Sequence, residues 1–535
     1  MTAARPLLID GNTLTVEDVV AVARENREVR LAAAARERMA ASHAHVQTLL
    51  RPQAPPVYGI NTGFGIFANR PVASQDAARL SRNLIITHAV AVGAPFKDEV
   101  VRAAMLVRAN ALALGHSGVR PELAQTLLDM LNARVHPVVP QQGSLGSSGD
   151  LAQLSHMALV LTTDDADRED ESGQVSYRGK VVSGKAAMHA ATIPRLVLGA
   201  KEGLALNNGA TFSAALATLT LFDAENLVRN AELSLALVLE ALLGVSDAFD
   251  PRLHSARRHS GQAAVAANMR SLLAGSTFMD AGGRVQDPYS LRCAPQVLGP
   301  VRDTLRLLRT WVSAEINAAT DNPLIFPEEP SVNDRRAFDT LSGGNFHGEV
   351  VSMAMDYLGI ALAEVGALAE RQIHRMVHDR YSYGLSPMLV SSAEAAGLNS
   401  GLMMPHYTTA SLVLENQTLA HPDSVHSLPT SAGQEDHNAN SLTAARHARR
   451  IVDNVAHILA VEFYTAAQAI DLRTAESPAA RLAPPTRAAY DRVRQEVRFI
   501  ENDRLYQPEI LRVRALVENG ELVRIVANAG DFQFI

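Results

Sequence analysis

The 535-residue chain is 47% apolar and only 20% charged. That charge share is below the norm for a soluble surface, so part of the exterior is expected to be covered, as between subunits. The charge sums to 49 − 56 = −7, and Cys293 is the single cysteine. These values exclude the basic face of a nucleic-acid binder, a polybasic membrane anchor, an intrachain disulfide and a cysteine-rich zinc site.

At about 150 residues per domain, the length suggests three or four domains, a weak rule for helical proteins with one long core. The first residues carry no apolar signal-peptide core. The most apolar stretch, residues 233–245, is interrupted by Glu240 and is too short to span a bilayer. The chain therefore reads as cytoplasmic. A helix is predicted over residues 16–50: Thr15 can cap it, Glu17 and Asp18 fall in its first turn, and Val19, Val22, Ala23 and Leu31 follow at helical spacing. Pro52, Pro55 and Pro56 end that run, and a glycine-rich loop follows, Tyr58-Gly-Ile-Asn-Thr-Gly-Phe-Gly65. Residues 76–134 again have helical pattern. The Gly/Ser segment 138–150 lies between two apolar runs, residues 164–171 form an acidic run expected to be a solvated loop, and residues 174–182 alternate like a small hairpin. Beyond residue 211 long helices dominate. Val351, Met355, Leu358, Leu362 and Val365 form one apolar stripe; Ile451, Val455, Ile458 and Phe463 form another within 441–473. Such stripes indicate a bundle of long helices and say nothing of function.

Several chemistries lack their motifs: there is no phosphate-binding P-loop, no dinucleotide fingerprint, no His-Glu-x-x-His and no Gly-x-Ser-x-Gly. His374 and His378 are four apart, but Glu370 does not complete a zinc spacing, so they read as a polar helix face and no metal is expected. The segment Gly143-Ser-Leu-Gly-Ser-Ser-Gly-Asp150 has three readings. It can be a flexible loop, or a phosphate nest at a helix N-terminus. It can also be reactive: Gly149 lacks a Cβ, so its nitrogen can approach the Ser147 carbonyl carbon closely in a tight turn. Attack there with loss of water closes a five-membered ring, and loss of water from Ser148 leaves an exocyclic methylene. The product is a methylidene-imidazolone, a strong electrophile.

Seven motifs in order carry a resemblance that spans residues 5 to 475. They are Tyr58 to Gly65; Gly143-Ser-Leu-Gly-Ser-Ser-Gly-Asp-Leu-Ala152; Lys201-Glu-Gly-Leu-Ala-Leu-Asn-Asn-Gly209; Gln286-Asp-Pro-Tyr-Ser-Leu-Arg-Cys-Ala-Pro-Gln296; Glu315-Ile-Asn-Ala-Ala-Thr-Asp-Asn-Pro323; Ser342-Gly-Gly-Asn-Phe-His347; and Gln434-Glu-Asp-His437. Together they resemble the aromatic amino acid ammonia-lyase and aminomutase family, which builds that electrophile from its own backbone. The resemblance implies an all-α fold, with an N-terminal domain (1–210) holding the triad and a long helical bundle (211–535). It also implies a methylidene-imidazolone formed autocatalytically from Ser147, Ser148 and Gly149, and a homotetramer whose active sites are each drawn from three chains. The family's usual triad is Ala-Ser-Gly; Ser147 replaces the alanine here, where a small residue suffices.

Within the family the motifs look closest to the histidine-specific branch. Thr87-His88 and Gln434-Glu435-Asp436-His437 match its ring-binding residues, whereas the Phe-Leu pair and the glutamine of phenylalanine lyases are missing. An imidazole N–H donates well to a carboxylate at Glu435, while a phenyl ring strands it. The resemblance makes Tyr58 the base for the β-proton and Tyr289 a second proton carrier. It places the substrate carboxylate on Arg292, with Asn208 and Gln286 orienting, Phe346 beside the electrophile, and His88 and Glu435 on the ring. A tyrosine base calls for a depressed pKa, supplied by a nearby cation. The 59–65 loop resembles a lid hinge. Two departures leave a tyrosine or phenylalanine lyase or 2,3-aminomutase as the second reading, and a non-catalytic helical assembly protein as the third. Asn207 stands where the family has leucine, which is expected to place an extra amide near the electrophile, and residues 438–442 leave the family pattern.

Overall fold

The structure is a computed structural model that describes residues 5–51, 53–326, 340–392 and 394–529; Pro52 lies outside the described residues. Thr15 caps the first helix as expected. Its hydroxyl accepts from the Asp18 N–H at 3.0 Å, and the Asp18 carboxylate accepts from the Thr15 N–H at 3.2 Å. The helix predicted over 16–50 is two helices, Val16–Glu25 and Ala33–Leu49. Asn26 turns left-handed at φ 58° and ends the first. Val29–Leu31 then pairs as a strand, parallel to Leu7–Ile9. Three helices fill 76–134: Ala77–His88, Asp98–Ala113 and Pro121–Ala133. The hairpin forms, with Gln174–Tyr177 antiparallel to Lys180–Ser183. The acidic run is a solvated loop as expected, and Asp167 anchors it, pairing with Lys185 at 2.8 Å and with Arg195 at 2.6 Å.

The fold is all-α with short strands. Its longest helices are Thr211–Ala241, Ala294–Glu315, Glu349–Val377 and Ser441–Glu476. Both predicted stripes are buried: Val351, Met355, Leu358, Leu362 and Val365 in one, Ile451, Val455, Ile458 and Phe463 in the other. Glu349–Val377 is long and apolar enough to cross a membrane, but most of its apolar window is buried inside the protein, as in a core helix. The residues gather into two compact units. The first holds Met1–Phe222, Arg309–Asp356 and Pro422–Arg446; the second holds Asp223–Leu308, Tyr357–His421 and His447–Ile535. They differ from the consecutive segments 1–210 and 211–535, because the long helices contribute residues to both units and two later segments belong with the N-terminal part.

In the second unit, the rings of His374 and His378 sit 5.5 Å apart and both lie against Tyr381. The same unit buries two carboxylates. Glu462 is held by the Ser234 hydroxyl, and Glu240 accepts from the Ala483 N–H at 2.8 Å. Burial pushes Glu462 from its usual 4.5 to about 8 and Glu240 to about 7. Folding therefore takes up protons between pH 4.5 and 8, so this contribution to stability is full at the acid end and lost as pH rises through the window. Glu462→Gln keeps an acceptor for Ser234 without the titration. It is expected to raise the melting temperature by about 2 °C at pH 8 and by less at pH 5, measured by calorimetry at both pH values.

Candidate active site

The triad loop is pinned from several directions within the first unit. Gly149 sits at φ +79°, and a Cβ there would lie 1.9 Å from the Gly209 carbonyl carbon, so only glycine fits. The Gly209 N–H donates to the Ser148 carbonyl at 3.0 Å, and the Asp150 N–H donates to the Gly209 carbonyl at 2.9 Å. The Asn208 side-chain amide also donates to the Ser148 carbonyl, at 2.9 Å. Upstream, the Leu145 carbonyl accepts from Ala439 and Asn440 N–H at 3.2 and 2.8 Å, and the Gly146 carbonyl accepts from the Gly348 N–H at 2.9 Å. Asp150 is fully buried, which pushes its carboxyl up; Ser144 and Ser213 donate to it, each hydroxyl at 2.8 Å.

Beneath this loop Arg108 is fully buried. Its guanidinium donates to the carbonyls of Ala205 and Asn208, at 3.1 and 2.6 Å, and to the Thr211 hydroxyl. It thus holds the C-terminal end of the short helix Glu202–Asn207, the segment that delivers Asn208. Burial lowers its pKa to about 10, against the pull of Asp321, Asp150 and Glu315. Nothing in the sequence singled out Arg108, because an arginine inside an apolar helix pattern gives no hint of what it reaches.

Two cavities of about 650 and 620 Å³ share Tyr58, Ser148, Asn208 and Glu435 in their walls. His88 lines the first and Phe346 the second, so six of the expected positions meet at one place with Ser147 beside them. The Ser147 hydroxyl donates to Glu435 Oε2, and the Ser148 hydroxyl to Glu435 Oε1 at 3.0 Å. The His88 Nδ1 lies 3.0 Å from the Thr87 hydroxyl. Burial lowers the His88 pKa against the opposing effect of Glu435, which favours a neutral ring. The Tyr58 hydroxyl accepts from the Gly65 N–H at 3.3 Å, and Phe64 meets its ring edge-on at 6.4 Å. Its pKa is raised, not depressed as a base requires: burial raises it most, Gly65 lowers it, and the Glu435 carboxylate raises it again. The cation expected to lower it is not among these influences.

Gln286, Tyr289 and Arg292 belong to the second unit and are not among the residues lining either cavity. Tyr289 is 71% exposed. Arg292 lies 4.7 Å over its ring, with a buried Nε that has no hydrogen-bond partner among the described residues. The extra amide of Asn207 does not reach the site: it is fully buried and donates to the Ser155 hydroxyl at 3.1 Å. The departures after His437 are braces. Asn438 accepts from the Leu428 N–H at 2.8 Å, and Asn440 donates to the His426 carbonyl at 2.7 Å.

A helical chain that carries a pinned Ser-Ser-Gly turn under an aromatic-walled cavity points to one class of enzyme, and the comparisons agree. Residues 14–495 match the family model described as aromatic amino acid lyase, and the chain belongs to that family. It is a carbon–nitrogen lyase. It is 46% identical over 526 residues to histidine ammonia-lyase of Symbiobacterium thermophilum, covering 98% of this chain and 99% of that one. It is 45% identical over 517 residues to histidine ammonia-lyase of Alkaliphilus metalliredigens, covering 96% and 97%. Among solved structures it is similar to histidine ammonia-lyase from Trypanosoma cruzi, with TM-score 0.88 and 35% identity over 98% of this chain and 96% of that one. It is also similar to tyrosine aminomutase from Streptomyces globisporus, with TM-score 0.89 and 36% identity over 99% and 100%.

Proposed function

We propose that this enzyme eliminates ammonia from L-histidine to give trans-urocanate, using a methylidene-imidazolone made from Ser147, Ser148 and Gly149. The observation that carries the substrate is Glu435, a carboxylate on the wall of both cavities and within hydrogen-bond reach of Ser148. An imidazole N–H gives it a charge-assisted partner; a phenyl ring would leave it desolvated at a cost of a few kcal/mol. The loop suits the ring. Gly149 has no room for a side chain, and the Ser148 carbonyl, which the ring keeps, already takes two fixed N–H donors from Asn208 and Gly209. Such donors stabilise negative charge as it develops. Once formed, the ring supplies an electrophilic exocyclic carbon that makes the substrate's amine a competent leaving group.

The side chains then divide the remaining work. Tyr58 takes the β-proton, and Tyr289 carries a second proton. Arg292 grips the carboxylate with its planar fork, helped by Gln286. Phe346 packs beside the electrophile, while His88 and Glu435 hold the imidazole. Tyr58 needs a cation to lower its pKa, and Arg292 fills that role when a homotetramer draws each site from three chains. The exposure of Tyr289 and the unpartnered Arg292 Nε support that assembly. The 59–65 loop closes over the bound substrate, and the enzyme works in the cytoplasm.

The decisive assay offers histidine, tyrosine and phenylalanine side by side and follows both acrylate and β-amino acid products. Absence of urocanate defeats the reading. The likeness to tyrosine aminomutase favours tyrosine as the second substrate, since a phenol can also bond His88 or Glu435. Glu435→Gln is expected to lower kcat/KM for histidine by about 10- to 100-fold, the worth of one hydrogen bond to a charged group, while phenylalanine gains. Steady-state kinetics on the two substrates checks this.

A further inference from the structure

One carboxylate bridges two consecutive hydroxyls: Ser147 donates to Glu435 Oε2 and Ser148 to Oε1. Ring formation treats the two serines differently. The first water carries away the Ser147 carbonyl oxygen with the amide hydrogens of Ser148 and Gly149. The second carries away the Ser148 hydroxyl with its Cα hydrogen. The Ser148 donor to Oε1 is therefore destroyed, while the Ser147 hydroxyl survives in a hydroxymethyl group on the Cα carbon attached to the finished ring.

We infer that Ser147 is a positioning residue: its hydroxyl pins Glu435 Oε2, so that Oε1, released by maturation, faces the imidazole N–H of the substrate. This rests on the histidine reading above. Ser147 is 4% exposed, which shields its hydroxyl from competing water. A carboxylate has about four acceptor positions, so one donor fixes its plane without using up its capacity for substrate. An alanine at this place closes the same ring but leaves the Glu435 carboxylate free to turn. The position sets where the carboxylate points, and through it the preference for a ring that donates a hydrogen bond.

The test compares Ser147→Ala and Ser147→Thr with the parent enzyme, by intact mass and by steady-state kinetics on histidine and phenylalanine. The alanine variant is expected to mature, falling about 36 Da below its sequence mass through loss of two waters. Its KM for histidine is expected to rise about tenfold, more than kcat falls, and its histidine-to-phenylalanine ratio of kcat/KM to drop about tenfold. Threonine restores the hydroxyl and recovers most of both. The assignment is overturned if the alanine variant keeps the parental KM and ratio, if it fails to mature, or if threonine recovers neither. A parent enzyme that makes no urocanate defeats the histidine reading itself. A parent that makes urocanate, with an indistinguishable alanine variant, defeats the Ser147 assignment alone.

Discussion

A Ser148→Ala enzyme is expected to lose at least about a thousandfold in kcat and to appear at its full sequence mass, whereas the parent appears about 36 Da lighter. Alanine has no hydroxyl to expel, so no methylene forms and the substrate's amine keeps its poor leaving ability. The fold should survive. Alanine gives up the hydroxyl's bond to Glu435 but keeps the carbonyl, which Asn208 and Gly209 hold in place. An unchanged melting temperature beside lost activity would therefore assign the effect to chemistry. A variant with full activity would refute every reading in which this backbone becomes an electrophile.

Arg108→Met is expected to cost more in stability than any other single change considered. Methionine matches the length of the aliphatic stem but leaves the carbonyls of Ala205 and Asn208 without a donor in a fully buried place. Each orphaned group costs about 1–3 kcal/mol. The same change removes the cation that acts on Asp150, Glu315 and Asp321; Glu315, already pushed up to about 7 by burial, would rise further. Loss of one partner from a buried charged cluster costs about 3–5 kcal/mol. Calorimetry should show a fall of several degrees in the melting temperature. Mass spectrometry should show slower loss of water, since Asn208 is no longer held against the Ser148 carbonyl. A melting temperature within 1 °C of the parent would refute the argument.

The sequence made the long helices legible because their apolar stripes keep one period over many turns, as from Val351 to Val365. It also marked Thr15 as a cap, because capping is a local bargain between one hydroxyl and the next turn. It misread residues 16–50. Val29 and Leu31 fit a helical stripe as readily as a strand, and only pairing with Leu7–Ile9 decides between them. Five cavity-wall residues, Tyr58, His88, Asn208, Phe346 and Glu435, were legible through motif resemblance rather than physical pattern. Arg108 was not legible, since its partners lie about a hundred positions away. The raised pKa of Tyr58 was also invisible, because it depends on burial and on a carboxylate from a distant segment. Asn207 shows the opposite error: a conspicuous polar substitution that merely satisfies a neighbouring helix.

The turn at 145–149 is clasped by Gly209, Gly348 and the pair Ala439 and Asn440. Glu435 reaches Ser147 across 288 positions of sequence. If the turn cyclises as proposed, a ribosome must deliver the chain as far as Asn440 before these clasps can close. On the proposed chemistry the electrophile is armed late, and its presence would report that the segments around the turn have already come together.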